Sequence, residues 1–369
     1  MRVFILALGT RGDVELFLIL GRELARRGHE VTLGSSAFYE DRVRASSLGW
    51  AAVAGGTLAE AVAVVRSLAT VADRTERTYQ FFDRWLRPQI AQAVPVVTRI
   101  AAGADYFLSN LKMMLRRADG AVVPGAAVTY DPPSDLADLA RYRAQEQGGR
   151  VLDLVAMSRP LIDPAGAWDP SYEFTGFWVD DRRQEWTPPE GLAAFLADGE
   201  PPVVITMGSM AMLDADGHVL AEALRRTGRR GVVAGGWSGV EPGLSPSGSI
   251  YRVGEVPYDW LFPRGCCILH HGGCGTVGYA LRSGRPSIVW PQITAQEHFA
   301  RALLRERLAT AAFDEPPTSD TLAGAIARVV EDETVRDAAL AWQRVVTAEP
   351  VVAGAADLIE SHWGGLDRG

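Results

Sequence analysis

The run His270-His271-Gly272-Gly273-Cys274-Gly275-Thr276 concentrates residue types that bind a phosphate ester. It follows an apolar segment and precedes a helical one. Glycines let a main chain approach a ligand closely. The N–H groups of an opening helix, together with the helix dipole, favour a diphosphate. Thr276 adds a hydroxyl donor and His271 an imidazole donor. A structural turn that caps a helix would account for the glycines. It would not account for two adjacent histidines, which are costly to bury without partners.

Other candidate groups sit at similar places. Gly208-Ser209 ends another strand-like run, where a helix cap is the competing explanation. Gly235-Gly236-Trp237-Ser238-Gly239 is a third strand-end loop, and Trp237 either faces a ligand or packs in a hinge. Asp13 follows the first strand in the loop Gly9-Thr10-Arg11-Gly12-Asp13. A carboxylate there lies at the carboxyl edge of a parallel sheet, where clefts form. It can take a proton from an attacking hydroxyl or simply cap the next helix. Arg11 beside it stabilises the loop or meets an anion. His29 reads as a surface or capping residue, and His218, His298 and His362 form no metal cluster.

The elements that must position these groups alternate. Residues 2–8 read as a strand, 14–27 as a helix and 29–34 as a second strand, a βαβ unit. Residues 58–101 read as helical, divided by Pro88 and Pro95. Short strands are expected at 105–109, 121–123 and 151–155, a loop at 124–134 and a helix at 134–147. The Pro- and aromatic-rich stretch 159–190 is the boundary. The second half repeats the scheme. It has strands at 203–206, 231–234, 267–269 and 287–289, and helices near 213–227, 259–264, 275–283, 295–306 and 319–330. A last helix, 351–362, should pack back on the first domain.

Bulk properties narrow the function. The 369 residues suffice for two domains, and 47% hydrophobic content gives each a core. A net charge of −8 argues against broad nucleic-acid binding. Helix ends still bind small anions in an acidic protein. Three cysteines without zinc spacing give neither a disulfide framework nor a metal site, so a reduced cytoplasmic protein is expected. The N-terminus reads as a buried strand rather than a leader, and no apolar run suits an integral membrane protein.

With these motifs in order, the chain resembles the bacterial natural-product glycosyltransferases of the glycopeptide-antibiotic type and the related sterol glucosyltransferases. The matching residues begin with Gly9 through Val14 and continue in the linker at Ser158-Arg159-Pro160, Trp168 and Thr175 through Trp178. In the second half they are Gly208-Ser209-Met210, Gly235-Gly236-Trp237, Val256 through Arg264, His270 through Thr276, Gly284-Arg285-Pro286 and Pro291 through Gln296.

The resemblance implies an α/β GT-B fold, two Rossmann-like domains facing each other across a cleft. Residues 1–185 would hold the acceptor-binding domain with its linker and 186–350 the donor-binding domain. Residues 351–369 would return to the first. It further implies inverting, metal-independent transfer of a sugar from a nucleotide diphosphate donor to a small natural-product aglycone. No cofactor is implied, and a homodimer is left open. Asp13 would be the general base. Ser209, His271, Gly273 and Thr276 would meet the diphosphate, the backbone around Val256 the nucleobase, Gln296 the donor-sugar hydroxyls, and Trp237 would also be donor-binding.

Four positions depart from the family pattern. Glu15 and Leu16 replace the usual Gln and Pro, and Tyr258 replaces a frequent His. Ala295 stands where relatives commonly carry the Asp that accepts hydrogen bonds from donor-sugar hydroxyls. A thymidine-diphosphate deoxy sugar fits that change. The competing functions are a glycosyltransferase-like binding protein without transfer activity and, less well matched, a sugar-nucleotide epimerase.

Overall fold

The computed structural model describes residues 1–110, 125–129, 151–180, 186–210, 217–238 and 241–366. The chain divides into two compact units. The first comprises Met1–Val64, Thr78–Asp180 and Glu349–Gly369. The second comprises Val65–Arg77 and Asp181–Ala348. Segment 65–77, grouped with the N-terminal half in the sequence reading, therefore belongs to the second unit.

The strands of the first unit are β1 (Arg2–Leu6), β2 (Glu30–Ser36), β3 (Gly49–Ala54), β4 (Tyr106–Ser109), β5 (Gly125–Thr129), β6 (Val151–Val155) and β7 (Tyr172–Phe174). They form a parallel sheet in the order β3-β2-β1-β4-β5-β6-β7. Central strands of such sheets are covered on both faces and carry unbroken apolar runs. Phe4, Ile5 and Leu6 are accordingly buried.

The second unit carries β8 (Val203–Thr206), β9 (Gly231–Ala234), β10 (Gly243–Leu244), β11 (Ile250–Val253), β12 (Cys267–His270), β13 (Ser287–Val289) and β14 (Ala309–Ala312). Their order is β10-β11-β9-β8-β12-β13-β14, with only β10 antiparallel among the described strands. Both sheets contain the doubly wound dinucleotide-fold order. The strand order reverses between β1 and β4 in one and between β8 and β12 in the other. Ligands of such sheets bind beyond the carboxyl ends of the strands at that reversal.

Some expectations need correction. Residues 124–134 were expected to be a loop because of Pro124 and Gly125, yet β5 starts at Gly125 and buries Ala126, Ala127 and Val128. Small apolar residues in a central strand outweigh the local breaker signal. Pro95 does not divide a helix but lies inside Arg87–Ala101, and Pro88 follows a π-helical turn, Phe82–Leu86, that joins this helix to Arg74–Phe81. The helix Glu333–Thr347 was not anticipated. The expected strand 121–123 and helix 134–147 lie outside the described residues.

The last helix, Val351–Leu366, packs in the first unit through buried Ala355, Ala356 and Ile359. Arg27 Nη1 donates to Asp357 at 2.6 Å and to Glu360 at 2.9 Å. His29 meets Glu360 at 2.8 Å, and Tyr106 meets His362 at 2.7 Å. Two of the unassigned histidines thus anchor this helix.

Candidate active site

The phosphate-type loop lies at the reversal between β8 and β12. The two histidines that end β12 have different tasks. His270 is fully buried. The Gly272 N–H donates to its Nδ1 at 3.0 Å, so the ring proton sits on Nε2 and points to Ser287 Oγ, also at 3.0 Å. Burial, then the neighbouring His271, push its pKa down to about 3. His270 is therefore a neutral strut that fixes the turn.

His271 is wedged between two loops. A Cβ placed on Gly273 would lie 2.4 Å from its Nε2, and one on Gly208 2.9 Å from its Cε1. Both glycines are therefore needed to seat the imidazole, and Gly208 also has φ +57°. Burial pushes the His271 pKa down to about 4, partly opposed by the Thr206 carbonyl. Among the described residues the His271 Nδ1 is buried without a regular hydrogen-bond partner. A neutral imidazole held this way is a candidate hydrogen-bond donor to a ligand.

The helix Cys274–Ser283 begins at Gly273, which supplies no side-chain cap. The first regular helical bond runs from the Val277 N–H to the Gly273 carbonyl at 2.9 Å. The amides of the first turn have no carbonyl above them in the helix. Thr276, 7% exposed, adds its hydroxyl. A helix start of this kind, without a side-chain cap, favours an anion.

Contacts bring most of the proposed donor residues together. A Cβ on Gly236 would collide with the Gly208 carbonyl at 2.1 Å, and the Trp237 N–H approaches that oxygen at 3.3 Å. The Gly235–Trp237 loop is thus pressed against Gly208-Ser209, which in turn abuts His271. Ser209 and Trp237 are both buried. On the other side, a Cβ on Gly272 would stand 3.2 Å from the Gln296 main-chain oxygen. The Val256 side chain is buried in an apolar cluster with Leu261 and Phe262, so a nucleobase beside it would meet the main chain.

Gln296 opens the helix Thr294–Arg305. Its Oε1 accepts from the Gln292 N–H at 2.7 Å and the Ile293 N–H at 3.3 Å. Its carbonyl is therefore occupied in capping, which leaves the amide N–H₂ for recognition. Ala295 is partly exposed. Glu297 accepts from Arg74 Nη1 at 2.6 Å, which ties its carboxylate to a residue from segment 65–77. It does not take the place of a carboxylate at position 295.

Two features were not found from sequence. Tyr258 Oη lies 2.8 Å from Thr206 Oγ1, which also accepts from the Gly208 N–H at 3.2 Å. The tyrosine thus fixes the end of β8. The other feature is the pair Arg74 and Arg77, each of which reaches a residue more than two hundred positions away. No local pattern signals such a pairing.

Asp13 belongs to the first unit and is the third residue of the helix Arg11–Arg26. Its Oδ2 accepts from the Thr10 N–H at 2.5 Å and from Thr10 Oγ1 at 2.9 Å. Gly9, with φ +133°, makes room for this, since a Cβ there would lie 2.3 Å from Oδ2. The capping alternative is realised for one carboxylate oxygen. Glu15 pairs with Arg11 and Arg42, and Leu16 is buried, so both departures at these positions have structural partners.

Among the described residues, no cluster of His, Cys, Asp or Glu is arranged to hold a metal ion. No helix among them is long and apolar enough to cross a membrane.

Two family models match the chain. Residues 3–104 match the glycosyltransferase family 28 N-terminal domain. Residues 243–360 match the C-terminal domain of erythromycin biosynthesis protein CIII-like proteins. The chain is 28% identical to the O-mycaminosyltylonolide 6-deoxyallosyltransferase of Streptomyces fradiae, over 98% of this chain and 97% of that one. It is 25% identical to the sterol 3-beta-glucosyltransferase of Candida albicans, over 98% of this chain but only 28% of that larger protein. In fold it matches the glycosyltransferase SsfS6 of Streptomyces sp. SF2575 complexed with thymidine diphosphate. The TM-score is 0.70 at 19% identity, covering 98% of this chain and 99% of the other. The chain is thus a homologue of the bacterial natural-product and sterol glycosyltransferases and, by that homology, a nucleotide-sugar-dependent glycosyltransferase of GT-B fold.

Proposed function

We propose that the protein transfers a deoxy sugar from a thymidine-diphosphate donor to a hydroxyl of a small natural-product aglycone, with inversion and without a metal ion. The observation that carries this reading is the uncapped helix start at Gly273, with the buried His271 and Thr276 beside it. The acceptor oxygen attacks the anomeric carbon as the bond from that carbon to the diphosphate oxygen breaks. The leaving diphosphate keeps the electron pair, and its charge is met by the first-turn amides, the Thr276 hydroxyl and the His271 imidazole. Asp13 takes the acceptor proton. Its Oδ2 also holds the Thr10 N–H and hydroxyl, so the base is fixed in its loop.

Two observations support the deoxy donor. Ala295 offers no acceptor to a sugar hydroxyl, and Glu297 is tied to Arg74. A desolvated hydroxyl left unpaired costs about 1–3 kcal/mol, which a sugar lacking it avoids. The name of the Streptomyces fradiae relative, a 6-deoxyallosyltransferase, points the same way. The test is a panel of matched glucose and deoxyglucose nucleotides with a competent aglycone. A preference for the deoxy donor of about tenfold in kcat/KM is expected. Preference for glucose rejects the donor assignment. Nucleotide binding without transfer to any aglycone would instead favour a binding protein built on this fold.

A further inference from the structure

Segment 65–77 leaves the first unit, packs in the second and returns. It places two arginines on one helical face, at i and i+3. Arg74, only 13% exposed, donates through Nη1 to Glu297 at 2.6 Å. Through Nη2 it donates to the carbonyls of Phe313 at 3.2 Å and Asp314 at 2.8 Å. Arg77 Nη1 donates to the Gln292 carbonyl at 3.1 Å, and its Nε to the Val71 carbonyl at 2.9 Å. Burial and the nearby Arg74 both lower the Arg77 pKa, so the two like charges are held together against their repulsion. The turn they grip is the one that Gln296 caps from within. That turn abuts Gly272 of the phosphate loop.

We propose that Arg74 and Arg77 are positioning residues of the donor site, holding the Gln292–Glu297 turn in place against the phosphate loop. This rests on the functional reading above. Sugar recognition in the second unit then depends on a segment encoded in the N-terminal half. Arg74 also keeps Glu297 away from the position left open by Ala295.

The test compares wild type with the double variant R74A/R77A. Hydrogen exchange at the amides of residues 292–297 is measured, with Tm and the separate KM values for donor and acceptor. Exchange at this turn should rise about tenfold, and donor KM about tenfold, while acceptor KM and Tm change little. R74K keeps the charge but loses the planar fork, and should fall between. In an E297Q background R74A should add less than it does alone, because the two residues act through one contact. Unchanged exchange at residues 292–297 overturns the proposal, and so does full additivity of R74A and E297Q. Wild type is also titrated with thymidine diphosphate and uridine diphosphate. Failure to bind either rejects the functional reading, and the exchange measurement still decides the positioning role.

Discussion

The loops after β1 and β12 match position for position. Gly9-Thr10-Arg11-Gly12-Asp13 aligns with Gly272-Gly273-Cys274-Gly275-Thr276. Each begins with a glycine at positive φ, +133° and +87°, and each places its last residue third in a helix. The glycines make room for different things. In the first loop Gly9 admits the Asp13 carboxylate, which folds back onto the N–H and hydroxyl of Thr10, the residue that precedes the helix. In the second Gly273 admits the His271 imidazole and leaves the helix start uncapped. One βα turn therefore carries its own anion, while the other is prepared to receive one from a ligand. The third helical residue, Asp13 or Thr276, sets the difference.

The largest expected effect separates the chemical role of Asp13 from its capping role. Asp13→Asn should reduce transfer by about 10²–10⁴-fold. The capping loss alone costs only about 1 kcal/mol of stability. Nucleotide affinity, a property of the second loop, should not move. Transfer close to wild type would make Asp13 a cap and nothing more.

Acid should break the second loop before the first. His270 has a folded pKa near 3 and His271 near 4, against 6.5 for the free side chain. Below 6.5 the unfolded chain takes up protons that the folded chain refuses. The stability these residues contribute is thus complete above about 6.5 and lost as the pH falls toward their folded values. Protonated His270 also ceases to accept from the Gly272 N–H. Nucleoside diphosphate affinity and Tm should fall together between pH 6.5 and 4, by about 3 kcal/mol in stability for each histidine. His270→Gln should remove about half of this dependence and leave the share of His271. A flat wild-type profile would contradict the neutral-strut account.

Smaller changes sharpen the steric half of the comparison. Gly273→Ala puts a Cβ where His271 sits and should cost about 1–3 kcal/mol in nucleotide affinity or stability. Beyond its own helical turn, a Cβ on Gly275 meets no atom of the described residues within 4 Å. Loss of affinity in Gly275→Ala without loss of Tm therefore reports the close approach of ligand. Thr276→Ala should weaken binding by about 1–2 kcal/mol, the worth of one hydroxyl bond. Calorimetry with thymidine diphosphate reads all three.

The alternating pattern of strands and helices was legible in the sequence because buried parallel strands are written as short apolar runs, such as Val203–Thr206 and Cys267–His270. The glycine-rich strand ends were legible because close approach of two loops, as at Gly208 and Gly236, leaves no room for a Cβ. What was not legible depends on distant partners. β5 is made of small residues that become a strand only between β4 and β6. Tyr258 is readable as a substitution, but its bond to Thr206 is not. The occupied carbonyl of Gln296 and the grip of Arg74 on Glu297 arise from tertiary geometry that no spacing rule encodes.

The most direct test gives the second loop the residue of the first. Asp13 shows that a carboxylate third in the helix can fold back onto its own turn, so Thr276→Asp should bring a competing anion to the open helix start. Calorimetric titration with thymidine diphosphate should show affinity reduced by about a hundredfold or more, because the new charge repels the ligand where the amides would have received it. The Tm should stay level or rise, since an acidic residue in the first turn favours the helix. Wild-type affinity in a folded Thr276→Asp protein would contradict the claim that this helix start receives the diphosphate.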